Sequence, residues 1–525
     1  MARRLFFYSS FISILLVIFI YPFKPHVLYF LFLIIPYIAL GIYDLYFSVH
    51  NVLRIYPVIG HLRYLFEFVR PEIQQYFVAT NLSGRPYNRE IRDLIYQRAK
   101  NVKDTIPFGT QYDITEPQYE LAYHSLDPKI VSESVKRLLI GGPDCKKPYL
   151  SSRLNVSAMS YGSLSKNAIM ALNLGCKEGD FAQDTGEGGL TEYHLKYGGN
   201  LVWEIGSGYF GVRTKDGHFD PEKFREQAAL DNVKMIAIKL SQGAKPGHGG
   251  VLPAAKVTEE IARIRGVEAW KDCVSPPKHS TFSTPEGLLR FVQQLRELSG
   301  GKPVGFKLCI GIRKEFMGIC KAMLKTGIMP DFITVDGAEG GTGAAPVELV
   351  DHIGMPINEG IAFADNCLIG VNLRDKIKLF ASGKIATGFD MVTKIALGAD
   401  ACNVARPMMF ALGCIQALRC NTNTCPTGVT THDPLRERAI VIEDKYKHVM
   451  NYHDATLKNF MHLLGVLGLD DPKELKPEHI MRRNTEGYPV SYAEIFDYLK
   501  PGELLTDSIH TAFARDWALA SAEKF

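Results

Sequence analysis

The chain has 525 residues, 46% of them hydrophobic, and a formal net charge of +4. So small a charge over that length excludes a dedicated nucleic-acid binder, and no basic stripe interleaved with aromatics is visible. The length allows several domains, or one barrel with additions.

Apolar residues are concentrated at the start. Leu5 to Phe23 and Val27 to Tyr46 are two apolar runs separated by Lys24-Pro25-His26. Each is close to the roughly 20 residues that span a bilayer core. This predicts a transmembrane hairpin over 1–47. Arg3 and Arg4 precede it, and Arg54 and Arg63 follow it. The positive-inside bias then places both flanks, and the remainder of the chain, on the cytoplasmic side of a cell inner membrane, as a multi-pass protein. Tyr21 and Tyr29 would mark the interface at the turn, and Tyr43 and Tyr46 the opposite one. A cleaved signal peptide and a pair of buried core helices are the rival readings. The first is weakened because no small-x-small cleavage site follows the first run.

Residues 48–150 are mixed and polar, with helical spacing around Arg89 to Lys100, and read as a lead-in segment packed on the main domain. From Leu154 an alternation begins. Short apolar, β-rich runs are each followed by glycine or polar residues and then a helical stretch. The runs are 154–160, 180–184, 201–205, 235–240, 303–310, 331–336, 377–382 and 401–405. Eight β/α units over roughly 250 residues describe a (β/α)8 TIM barrel, with chemistry at the C-terminal strand ends. A doubly wound open sheet is the alternative. The barrel is expected over 151–440 and a helical extension over 441–525.

The residues after the strands are rich in glycine and polar groups: Ser160 to Ser165, Asp184 to Gly189, Gln242 to Gly250, Asp336 to Gly343 and Ser382 to Lys384. Glycines let backbone N–H groups approach a ligand closely. In TIM barrels the loops after strands seven and eight often bind a phosphate. Here these are Gly383-Lys384 and Asn403 to Arg406. A phosphate there, with Lys239 reaching inward from strand four and Lys245 just beyond, suits FMN. A cation beside the flavin would stabilise its anionic reduced ring. An ion pair inside the barrel is the plainer reading of Lys239. No strand–GxGxxG–helix unit for a nicotinamide cofactor is present in the sequence.

Cys414, Cys420 and Cys425 lie within twelve residues, with five and then four residues between them. Such a group can ligate one iron–sulfur cluster, whose usual complement is four thiolates. Three close ligands suggest a three-iron cluster, a cluster with an open corner, or a fourth ligand from elsewhere. Three unconnected core thiols remain the plain alternative.

The segments SAMSYGSLSKNA (157–168), DTGEGG (184–189), IKLSQGAKPGHGG (238–250), SPPKH (275–279), GGTGAAP (340–346) and the GC-x5-C-x4-CPTGV block resemble the FMN-binding synthase domain of glutamate synthase, in that family's order. The whole chain resembles the stand-alone FMN-binding glutamate synthase family proteins. The resemblance implies a (β/α)8 barrel, FMN, and a [3Fe-4S] cluster on Cys414, Cys420 and Cys425. It implies reduction of 2-iminoglutarate, formed from 2-oxoglutarate and ammonia, to L-glutamate. Lys245 matches the family's substrate-contacting lysine and Glu187 its acid near the flavin. Arg265 and Ser283 fall near the family's carboxylate contacts. Without the family, Arg265 reads as a surface arginine of a helix. The cofactor contacts implied are Ser157, Ala158, Met159, Ser160, Lys239, Gln242, Asp336, Gly341, Thr342, Gly383, Lys384, Asn403 and Arg406. Electrons would come from ferredoxin or a partner reductase subunit.

Several departures stand out. Neither an amidotransferase domain nor the family's C-terminal Gly-rich β-helix domain is expected, so ammonia would be free or delivered by a partner. Val251 occupies the place of a substrate-contacting glutamine, Asp184 that of an asparagine, and Ala338-Glu339 that of His-Asp. A lost buried hydrogen bond costs about 1–3 kcal/mol. This keeps open a related 2-oxo acid or amine as substrate, or a non-catalytic electron-transfer module of a membrane complex.

Overall fold

The computed structural model describes residues 2–102, 104–509 and 511–525. Met1, Lys103 and His510, inside the expected segments 1–47, 48–150 and 441–525, lie outside the described residues. Two compact units divide between Arg89 and Glu90.

In the first unit, helix Ala2–Ile20 and the helical stretch Pro25–Tyr46 are long and apolar enough to cross a membrane, by length and composition. A Cβ at Gly41 would lie 2.0 Å from the Phe6 ring, so this glycine is what lets the two helices touch. Asp44 is fully buried near the end of the second helix. It accepts from Val58 N at 2.8 Å and pairs with His61 Nε2 at 2.9 Å. These bonds draw the following turn back onto the hairpin. Residues 48–89 therefore fold with the hairpin, not with the lead-in segment expected over 48–150.

The second unit is a closed barrel of eight parallel strands. They are β1 (Leu154–Val156), β2 (Ala182–Asp184), β3 (Asn200–Ile205), β4 (Val233–Lys239), β5 (Val304–Leu308), β6 (Phe332–Asp336), β7 (Lys378–Ser382) and β8 (Ala401–Val404). Each overlaps one of the eight apolar runs, β3 and β4 beginning one and two residues before theirs, and β8 pairs with β1 to close the cylinder. Every residue of β5 and β6 is buried. Parallel strands covered on both faces need such near-continuous apolar runs.

Helices alternate with the strands: α1 (Lys166–Glu178), α2 (Glu192–Leu195), α3 (Pro221–Ala228), α4 (Pro285–Leu298), α5 (Arg313–Thr326), α6 (Ile357–Gly370), α7 (Gly388–Ala396) and α8 (Ile442–Val466). Their starts carry local signals. Ser165 accepts from Ala168 N, and Thr387 forms a capping box with Asp390. Helix α8 packs against both α1 and α7. It is the eighth barrel helix, displaced in sequence by the long cysteine-bearing loop, so the barrel continues past residue 440.

The opposite mouth is plugged. Strands Arg137–Ile140 and Tyr149–Ser152 form a hairpin. Its Leu138, Ile140 and Tyr149 pack against Ala182, Met235, Phe332 and Ala401. Burying such side chains is worth roughly 1.5–3 kcal/mol each. The tail is not only helix and loop. Ile480–Arg483 and Pro489–Ser491 form a sheet with Glu120–Ala122, a partner far away in sequence.

Candidate active site

The loops at the C-terminal strand ends are stitched together by short contacts. A Cβ at Gly243 would lie 1.8 Å from Gly337 O, so the loops after β4 and β6 touch backbone to backbone. Gly243 N donates to Asp336 Oδ2 at 2.8 Å, and Gln242 Nε2 donates to Gly341 O at 3.1 Å. Ser157 and Ser382 place their hydroxyls 3.3 Å apart, joining β1 to β7. Gly383 and Lys384 have φ of 145° and 52°, a sharp turn that leaves Lys384 exposed. Arg406 Nη2 donates to Glu339 O at 2.7 Å and its side chain lies beside Gly341. Asn403 sits on β8 between Asn155 of β1 and Ser382 of β7. Met159 is buried; Ala158, Ser160 and Thr342 are half-buried.

At the centre, Lys239 Nζ donates to Glu187 Oε1 at 2.7 Å and to Gln242 Oε1 at 3.2 Å. Ser275 Oγ donates to Glu187 Oε2 at 3.4 Å. The carboxylate reaches this position because Gly250 has no Cβ, which would fall 1.9 Å from Oε1. Burial would raise the Glu187 pKa, but the ammonium groups of Lys239 and Lys245 and the Arg265 guanidinium hold it down at about 2.

Two further cations face this carboxylate. Lys245 is buried and donates to Ala344 O at 3.0 Å. Burial, with Lys239 nearby, lowers its pKa to about 8. Arg265 is also buried, with its guanidinium carbon 5.1 Å from the Phe210 ring centre. Its Nη2 donates to Ser160 Oγ and Tyr161 O, both at 3.3 Å, while Nε has no partner among the described residues. Arg265 ends the helix Glu259–Arg265, and Gly266 at φ 65° turns the chain away. The arginine is thus turned inward and is not the surface residue that its helix suggests. Three cations against one carboxylate make a mouth suited to anions.

The loop between β4 and α4 supplies most of this chemistry: Lys245, Arg265, Ser275 and His279. Buried His279 has Nε2 2.8 Å from Lys239 O and Nδ1 3.0 Å from Tyr209 Oη. A carbonyl only accepts, so the proton is on Nε2 and Tyr209 donates to Nδ1. Burial lowers the His279 pKa to about 4 and keeps this tautomer neutral. Beneath, Lys307 pairs with Glu204 inside the barrel. Burial and the Glu204 carboxylate push Asp184 up to about 8.

Cys414, Cys420 and Cys425 are free thiols in one loop. Gln416 N donates to Cys414 Sγ at 3.4 Å, and Cys425 Sγ lies 3.5 Å from Thr427 Oγ1. Burial raises Cys420 and pushes Cys414 up to about 12. At Cys425 burial also raises the thiol, but hydrogen bonds from Thr430 and Thr427 outweigh it and lower the pKa. Among the described residues no three potential ligands converge on one metal-binding point.

Lys239, Glu187, Gln242, Lys245 and Arg265 are brought together. Ser283 is not: it is exposed, one residue before the α4 cap Thr284, and makes no side-chain hydrogen bond among the described residues. Residue-level reading missed Ser275 and His279, although both lie in the SPPKH segment. It also missed Lys256, for which the sequence carries no signal.

Residues 100–470 match the conserved region in glutamate synthase. A glutamate synthase large subunit-like protein of Bacillus subtilis strain 168, YerD, is 38% identical over 478 residues, covering 83% of this chain and 91% of its own length. The archaeal glutamate synthase [NADPH] of Archaeoglobus fulgidus is 35% identical over 322 residues, covering 61% of this chain and 60% of its own length. The chain therefore spans only about three fifths of that relative. Among solved structures, a mutant flavocytochrome b2 with pyruvate bound has a TM-score of 0.43 at 12% identity, covering 85% of this chain and 93% of that chain. The chain belongs to the glutamate synthase family, whose enzymes are oxidoreductases acting on CH–NH2 donors.

Proposed function

We propose that this protein catalyses the reductive amination of 2-oxoglutarate, through 2-iminoglutarate formed with ammonia, to L-glutamate, using FMN and a [3Fe-4S] cluster. The carrying observation is the convergence of Lys239, Glu187, Lys245 and Arg265 on one anion-seeking mouth at the C-terminal end of the barrel.

The residues fit FMN. Gly243 and Gly383 pack against Gly337 and Gly341 packs against Arg406, and with Lys384 and Arg406 in the loops after β7 and β8 they form a glycine-rich, cationic strand end of the chemistry a flavin phosphate takes. These loops, with Ser157 to Ser160 and Asn403, would hold the phosphate and ring. The thiols of Cys414, Cys420 and Cys425, unpaired and bonded by amide and hydroxyl donors, are the donor set a cluster needs. When bound and reduced, FMN would supply the hydride that the imine carbon takes up.

The chain's own residues do the rest. Arg265, through the Nε that has no partner among the described residues, donates to a substrate carboxylate. Lys245, with its lowered pKa, gives a proton to the developing amine at neutral pH and is left as a neutral amine. Glu187 holds the Lys239 ammonium at a fixed point in the mouth.

Val251 favours a second reading, a related 2-oxo acid or amine as substrate. It is half-buried on the two-residue strand Val251–Leu252, where an amide would offer a hydrogen bond and its isopropyl group offers none. We also propose that the exposed apolar faces of Ala2–Ile20 and Pro25–Tyr46 anchor the protein in a cell inner membrane, with the barrel cytoplasmic and with ferredoxin or a reductase subunit as electron donor. Pelleting with membranes and release only by detergent is the expected behaviour; recovery in the soluble fraction would refute the anchor.

The test of function is anaerobic. The detergent-purified protein is reduced, and flavin reoxidation is followed as 2-oxoglutarate and ammonia are added. Rapid reoxidation with stoichiometric glutamate is expected. A reduced flavin indifferent to the pair would move the assignment to another imino acid, and indifference to every keto acid would favour an electron-transfer role.

A further inference from the structure

Three consecutive carbonyls of the loop after β1 are each held by a side chain from elsewhere. Tyr161 O accepts from Arg265 Nη2 at 3.3 Å. Gly162 O accepts from His432 Nε2 at 2.8 Å. Ser163 O accepts from Lys256 Nζ at 2.6 Å. The same Lys256 ammonium donates to Cys420 O at 3.3 Å. One buried side chain thus bridges the loop that begins at Ser157 to Cys420.

Lys256 is 2% exposed and makes no ion pair with a carboxylate among the described residues. A buried ammonium without a counter-charge is costly. Two carbonyl dipoles offset part of that cost. Burial lowers the Lys256 pKa to about 8, which leaves it charged at neutral pH, and the groups near it that can carry negative charge, Cys420 and Cys425, act in the opposite direction. Thiolates ligating an iron–sulfur cluster carry that charge, and net charge and nearby hydrogen bonds set such a cluster's potential.

We propose that Lys256 is a positioning residue that fastens the cysteine loop to the loop after β1 and, as a fixed cation, raises the reduction potential of the iron–sulfur centre. This rests on the cluster assigned under the proposed function. Lys256 gives up neither a proton nor an electron. It favours the reduced cluster by compensating the charge of the added electron.

The test is an EPR-monitored redox titration of the full-length protein as wild type, Lys256→Gln and Lys256→Arg, with iron and FMN contents measured alongside. Lys256→Gln is expected to shift the reduction equilibrium at least tenfold toward the oxidised cluster, about 59 mV for a one-electron couple. Lys256→Arg, which keeps the charge, is expected to restore most of it. An unmoved potential in Lys256→Gln with iron retained overturns the proposal. If Lys256→Gln loses iron, wild-type iron and potential in Lys256→Arg support it, and loss of iron there too overturns it. A reconstituted wild type with neither iron nor an EPR signal would instead overturn the cluster assignment itself.

Discussion

Lys239 Nζ and Glu187 Oε1 lie 2.7 Å apart, with both side chains largely withdrawn from solvent. The pair joins the end of β4 to the loop after β2, and Gln242 and Ser275 complete its hydrogen bonds. Removing one partner leaves a buried charge unpaired. Lys239→Met is expected to cost about 3–5 kcal/mol, read as a lower denaturant midpoint, with loss of FMN. The sign with pH follows from Glu187. Its folded pKa of about 2 lies below the ordinary 4.5. Its stabilising contribution is present above the ordinary value and is lost as pH falls toward 2. Melting curves of wild type and Glu187→Gln at neutral and acidic pH should therefore converge on acidification.

Lys245 titrates at about 8, lowered by burial and by Lys239. As a proton donor it must be charged, so kcat/KM should fall about tenfold per pH unit above that value. Lys245→Met should lose about 10²–10⁴-fold in kcat and lose this alkaline limb. A limb that persists in the variant would assign it to another group.

Val251→Gln places a hydrogen-bonding side chain next in sequence to Gly250, which lies against the Glu187 carboxylate. If 2-oxoglutarate is the substrate, kcat/KM should rise by about 1–3 kcal/mol of interaction, roughly 5- to 150-fold. Steady-state rates with 2-oxoglutarate and with apolar 2-oxo acids separate the two substrate readings. A rise confined to 2-oxoglutarate supports the glutamate assignment, and a fall with the apolar acids supports the second reading.

Cys420→Ser should lower iron content and abolish the cluster's EPR signal while leaving FMN in place, because the Lys256 link from the loop after β1 runs to the Cys420 backbone carbonyl, which serine keeps. Parallel iron and flavin assays decide it. Equal iron in wild type and variant would return the three cysteines to plain core thiols.

Gly243→Ala would set a Cβ 1.8 Å from Gly337 O, where backbone opposes it. The loops after β4 and β6 must then part. A loss of about 1–3 kcal/mol in stability is expected, together with weaker FMN retention. Thermal melting with and without added FMN measures both.

The eight strands were legible in the chain because each is a short apolar run fenced by glycine or a helical stretch, and buried parallel strands need little else. The cysteine spacing was equally plain, but the spacing did not fix how the three thiols lie, and among the described residues no three potential ligands converge on one metal-binding point. The hairpin's length and composition were visible too, and both helices formed where the apolar runs lie. Helix α8 was visible as a helix but not as a barrel element, because its neighbours α1 and α7 are not adjacent to it in sequence.

What the amino-acid order determined by itself was local: strand runs, helix caps, glycine turns and clustered thiols. Tertiary structure decided which way Arg265 faces, that Lys256 reaches both Ser163 and Cys420, and that Ile480–Arg483 pairs with Glu120–Ala122. Those facts are set by burial and by hydrogen bonds between distant segments. Neither leaves a period or a spacing in the sequence, and so the chemistry of the mouth became readable only once the barrel had closed.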